Sequence, residues 1–216
     1  MNQAVYQPDA IPIVGRTGIS LMEWALEGLE QYHASLGRYD IPDQHPILYR
    51  HDRPSPVQRH VTQAHLPVIE APPRDQLIQF YTSLLPKLCR PGDEPHYYGE
   101  TVYTDADLLS RLNERIYLGA FIAYSKLQIK PSILALAMDP QRLRAALRDA
   151  EREHTVLQRV KRSAQRYDVP LNVTVQLFRW IIEQTLDLEV RFIQRIAGTG
   201  SEPVDSSTSA SNDIHS

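Results

Sequence analysis

One cysteine, Cys89, stands in the 216 residues, so no internal disulfide and no cysteine-rich metal site can form. A lone cysteine fits a reducing compartment. No stretch reaches the roughly eighteen apolar residues of a membrane span, and the opening MNQAVYQPDAIPIV lacks the basic start and apolar core of a signal peptide. A cytoplasmic protein with no membrane partner is therefore expected. The chain carries no basic block; with a net charge of −3 no nucleic-acid surface is expected. Covalent catalysis has no signature, because there is no Gly-x-Ser-x-Gly and Cys89 has no evident basic partner. Gly15 and Gly18 are not followed by a Lys-Ser/Thr pair, which excludes a phosphate loop. The eight histidines share no ligand spacing, and His60 and His65 lie five apart among prolines. No metal and no cofactor is expected. Alternating strand patterns and internal repeats are also missing.

What remains is helical periodicity. The composition, 42% hydrophobic and 23% charged, is that of an ordinary globular protein. Residues 1–19 hold two prolines and two glycines and predict an extended lead-in. Ser20 with Glu23 forms a capping box before a helix with Leu21, Trp24, Ala25, Gly28, Leu29 and Tyr32 on one face, stopped by Gly37. Proline density from Arg38 to Arg74 forbids long helices and predicts a coil that wraps the bundle. Asp75–Leu88 reads as a further helix and Cys89–Thr104 as a connecting loop with an aromatic cluster. The tail from Gly198 is rich in Ser, Thr and Asp and reads as disordered. The expectation is an all-α helix bundle with a long central helix, one helical domain over residues 20–197 and a disordered tail over 198–216.

Three segments between Asp107 and Arg195 carry charge where a helix should be apolar. In LLSRLNERIYLGAFIAYSKLQ, Arg115 and Lys126 lie eleven residues apart, about three turns, and so share a face. AALRDAEREHTVLQRVKRSAQRY places Asp149 and Glu153 four apart above an apolar stripe. In VQLFRWIIEQTLDLEVRFIQRI, Thr185 and Glu189 interrupt the stripe of Phe178, Ile181, Ile182, Phe192 and Ile196. Burying charge costs several kcal/mol unless it is paired. Cations, carboxylates and a hydroxyl facing one core therefore point to a polar pocket inside a bundle, with a buried ion-pair network as the plain alternative.

The set Arg115, Lys126, Asp149–Arg152–Glu153, Thr185 and Glu189 resembles the active-site pattern of the all-helical chorismate mutases. The match extends to SLMEWALEGLEQYHASLGRYDIPDQHP and YYGE–LLSRLNERIYLGAFIAYSKLQ, which resemble the fungal and plant branch, as does Glu rather than Gln at position 189. It runs over roughly residues 5–195. The resemblance implies conversion of chorismate to prephenate, a pericyclic rearrangement with no covalent intermediate. It implies Arg115 on a substrate carboxylate, Lys126 and a protonated Glu189 on the ether oxygen, and Glu153 on the substrate hydroxyl. Asp149 and Thr185 would assist binding, as would Arg152, which matches the bacterial pattern. A homodimer is expected.

Two departures shape further expectations. Family members begin with a helix whose arginine binds the second substrate carboxylate, and VYQPDAIPIVGRTG resembles the linker after it. This reading puts Arg16 in the linker and expects weak catalysis; its rival is a mutase-like protein that binds a metabolite or partner. The family's effector-binding arginine pair and Gly-Ser read here as Gly37-Arg38 and Gly99-Glu100. Little response to aromatic amino acids is expected.

Overall fold

Ser20 starts the first helix through a reciprocal cap: its hydroxyl accepts from the Glu23 amide at 3.2 Å, and the Glu23 carboxylate accepts from the Ser20 amide at 3.0 Å. The helix it opens, α1, runs Leu21–Ser35. Gly37 then turns the chain with φ of +73°, a conformation that a side chain would strain. The computed structural model describes residues 2–40, 44–50, 55–57 and 74–199. Most of the proline-rich segment, His60, His65 and the tail beyond residue 199 lie outside the described residues.

Five more helices follow: α2 (Arg74–Leu88), α3 (Tyr98–Ile129), α4 (Pro140–Leu147), α5 (Ala150–Arg166) and α6 (Leu171–Thr199). No strand is present among the described residues, so the protein is all-α. The long central helix is α3, 32 residues or about 48 Å. It packs against α1 on one side and α6 on the other, while α4 and α5 pack on α6. Two apolar clusters result. One joins Met22, Leu26, Leu77, Leu109 and Ile116 from α1, α2 and α3; the other joins Tyr117, Leu143, Leu147, Leu188, Phe192 and Ile193 from α3, α4 and α6.

Four expectations need correction. The buried face of α1 is Met22, Leu26, Glu30 and Ala34, while Trp24, Gly28 and Tyr32 of the expected face are exposed. The stretch from Tyr98 to Thr104 is not loop but the first two turns of α3; its tyrosines masked a helix start that has no side-chain cap. The lead-in is not wholly extended. Gln3–Tyr6 makes a turn of 3-10 helix that buries Val5 completely, and the Tyr6 hydroxyl donates to Asp105 of α3 beside that of Tyr81. Finally, AALRDAEREHTVLQ is two helices. Arg148 is extended (φ −69°, ψ 132°), and Asp149 is the N-cap of α5, its carboxylate accepting from the Arg152 amide at 2.9 Å. Aspartate is among the best N-caps, and it breaks the helix that periodicity alone would run through it.

The described part of the wrapping segment is tied down by a buried charge. Glu30 of α1, 1% exposed, accepts hydrogen bonds from the amides of Ile47, Leu48 and Tyr49. Three donors on one carboxylate satisfy a group that would otherwise be costly inside the protein. Farther along α3, Gly119 permits a close helix contact. A Cβ there would lie 2.8 Å from the Thr185 carbonyl oxygen, so the glycine lets α6 settle against α3.

Candidate active site

The break at Arg148–Asp149 and the close approach at Gly119 together open a cleft between α3, α5 and α6. It measures about 170 Å³. Arg115 and Lys126 enter from α3, Asp149, Arg152 and Glu153 from the start of α5, and Thr185 and Glu189 from α6. All seven residues singled out in the sequence line this one cleft. Val156, Phe178, Ile181, Ile182 and Leu186 form its apolar walls.

The charged groups differ in depth. Glu189 sits at the bottom, 4% exposed, and Thr185 beside it is 7% exposed. Lys126 donates to Glu189 Oε2 at 2.6 Å and to the Leu147 carbonyl at 2.6 Å. Burial raises the Glu189 carboxyl above its ordinary pKa; Lys126 pulls it back down, and the Glu153 charge pushes it further up. Arg115 and Arg152 stand at the mouth, exposed and without an ion-pair partner among the described residues. The pocket expected inside the bundle is therefore a cleft with an exposed, cationic mouth and a largely buried floor.

Two site residues also make contacts within their own helices. The Asp149 carboxylate accepts from the Arg152 amide as the N-cap of α5. The Thr185 hydroxyl donates to the Ile181 carbonyl at 2.7 Å, the back-bond of a buried helical threonine. Sequence reasoning also missed Arg148, which lines the cleft and donates to Glu153 Oε1 at 3.0 Å, and Leu147, whose carbonyl holds Lys126. The only signal for either was the Arg-Asp pair that precedes α5.

This arrangement can bind a small organic anion and present two donors to one oxygen. Unpaired guanidinium groups at the mouth suit carboxylates. An ammonium beside a carboxyl whose neutral form burial favours can stabilise charge that develops on a nearby oxygen. Elsewhere, Arg38 is committed to Glu114 at 2.7 Å and also to Gln44 and His33. No cluster of metal-binding side chains exists among the described residues, and no helix there is long and apolar enough to cross a membrane.

Comparison with known proteins converges on one family. Residues 97–190 match the family described as chorismate mutase type II. The chain is 32% identical over 152 residues to chloroplastic chorismate mutase 1 of Arabidopsis thaliana, covering 65% of this chain and 42% of that protein. Among solved structures, the chloroplast chorismate mutase of Zea mays superposes with a TM-score of 0.74 at 26% identity, over 91% of this chain and 84% of that one. The Aro7p chorismate mutase of Candida albicans, solved with L-Trp, shares the fold with a TM-score of 0.81 at 23% identity, over 94% and 83% of the two chains. The chain spans about half the length of the curated plant relatives that it matches, 42% to 57%.

Proposed function

We propose that this chain, which belongs to the all-helical chorismate mutase family, converts chorismate to prephenate in the cleft between α3, α5 and α6. One observation carries the proposal: Lys126 and Glu189 meet at 2.6 Å on a floor walled by apolar side chains. The rearrangement breaks an ether bond as a carbon–carbon bond forms, with no proton transfer and no covalent link to the protein. Catalysis then consists of holding the folded conformer of the substrate and stabilising negative charge on the ether oxygen.

In this reading the ether oxygen inserts between Lys126 and Glu189 and accepts from both. Glu189 must be protonated to donate, and its burial favours that form. Arg115 takes one substrate carboxylate, and the Arg152 guanidinium adds positive charge at the mouth. Glu153 receives the ring hydroxyl on Oε2, the oxygen that Arg148 leaves free. Asp149 contributes through the start of α5, which its side chain builds, rather than by direct contact. Thr185 lines the floor beside Glu189, its hydroxyl donating to the Ile181 carbonyl within α6.

The test is direct. Purified protein incubated with chorismate should convert it one for one into prephenate, followed by proton NMR, with both species having the same mass. Binding without conversion would favour a mutase-like binding protein instead.

The same reading carries a homodimer acting in the cytosol. Trp24 and Tyr32, two turns apart on α1 and 48% and 61% exposed, support a further contact surface. Light scattering at micromolar concentration would distinguish a 24.7 kDa monomer from its dimer.

A further inference from the structure

Five charged side chains form an unbroken series that ends in the cleft, and the reaction as described uses only the last. Arg144 of α4 donates to Asp187 and Glu183, one turn apart on α6. The other oxygen of Glu183 accepts from Arg148 Nη2. Arg148 Nε then reaches Glu153 Oε1 at 3.0 Å. Nε and Nη2 are the same edge of one guanidinium, so a single planar fork holds a carboxylate from α6 and one from α5 in fixed relation. Arg148 occupies the extended residue between α4 and α5, which is why its side chain can turn back into the cleft.

We propose that Arg148 is a positioning residue: fixed by Glu183, it aims the Glu153 carboxylate into the cleft so that Oε2 meets the hydroxyl of the bound ring. The inference rests on the function proposed above. Four observations carry it. Glu153 Oε1 is occupied by Arg148, while Oε2 has no hydrogen-bond partner among the described residues. Glu153 is half-buried in the first turn of α5, so its carboxylate keeps a share of solvent access. The carboxylate that anchors the guanidinium is itself fixed, since Glu183 also accepts from Arg144. Finally, the series ties α5 to α6, the two helices that carry Glu153 and Glu189.

The consequence is a particular kinetic signature. A hydroxyl contact that is equally strong in ground and transition states changes KM rather than kcat. Arg148→Gln should raise KM about three- to tenfold, a partly exposed charged hydrogen bond being worth less than a buried one. Arg148→Lys should restore part of the loss, and Glu183→Gln should reproduce a smaller rise from a residue outside the cleft.

A double-mutant cycle tests the claim. If Arg148 works through Glu153, Arg148→Gln should raise KM in the parent and leave it nearly unchanged in Glu153→Gln. An equal factor in both backgrounds, or no effect in either, would overturn the proposal. A lower melting temperature with unchanged KM would assign Arg148 a purely structural role and overturn it as well. If the parent does not convert chorismate, the proposed function fails separately. Crystal structures of the parent and Arg148→Gln then decide the positioning claim: Glu153 turned to solvent in the variant upholds it, and an unmoved Glu153 overturns it.

Discussion

Lys126 Nζ lies 2.6 Å from Glu189 Oε2 and 2.6 Å from the Leu147 carbonyl oxygen, so one ammonium ties α3 to α6 and to the end of α4. The contact is a structural clamp and, in the proposed reaction, the place where the ether oxygen would enter. Each role has its own measurable consequence.

The first consequence is a pH dependence. Burial raises the Glu189 carboxyl above the usual range, so its donor form persists to higher pH than that of an ordinary glutamate. Turnover should be favoured on the acid side and fall as pH rises through that raised value. Glu189→Gln keeps a donor at every pH and should flatten the fall. An unchanged profile in the variant would count against the protonated role.

Removing the cation tests the other half. Lys126→Ala should lower kcat/KM about 10²–10³-fold, the usual cost of deleting a donor to a developing oxyanion. It also leaves Glu189 buried without the group that lowers its pKa. A folded-state pKa above the unfolded one contributes stability that is complete below the unfolded value and lost as pH rises through the folded value. The stability deficit of Lys126→Ala relative to the parent should therefore be small at acid pH and grow toward neutrality. Urea unfolding at several pH values would measure it, and a deficit independent of pH would contradict the coupling.

Gly119→Ala probes the helix contact that sets the depth of the floor. The new methyl group would meet the Thr185 carbonyl at 2.8 Å, and backbone cannot move aside as a side chain can. Displacing α6 should cost about 1–3 kcal/mol of stability. It should also reduce kcat, because Thr185 and Glu189 move with the helix. A variant as stable and as active as the parent would show that α3 and α6 can part at this point without cost.

Glu30 makes a prediction about the wrapping segment. In Glu30→Gln the side-chain oxygen can still accept, but its NH₂ would face an amide donor of residues 47–49. Leaving a buried donor unsatisfied costs about 1–3 kcal/mol. Denaturant midpoints should fall accordingly, and unchanged stability would mean that the three amides find other acceptors.

Much of this site was legible in the sequence because charge on an apolar helical stripe is conspicuous. Arg115 and Lys126 share a face through simple periodicity, and Thr185 and Glu189 interrupt a run of Phe and Ile. The capping box at Ser20 was legible for the same reason, being a local pattern with local consequences. What periodicity could not resolve was a change of element within a polar stretch. Arg148, in extended conformation, ends one helix and Asp149 caps the next, and no stripe marks the switch. Tyr98–Thr104 hid its helix for a related reason, since no capping side chain announces where α3 begins. The role of Gly119 was hidden too, because it depends on a partner 66 residues later in the chain.

The central claim is that a lysine and a neutral glutamate on a largely buried floor carry the rearrangement. Loss of chorismate absorbance, followed with the parent and with Lys126→Met at matched concentration and acid pH, tests it most directly. The account predicts steady conversion by the parent and conversion at least about a hundredfold slower in the folded variant. Equal rates in the two proteins, or no conversion by the folded parent, would contradict it.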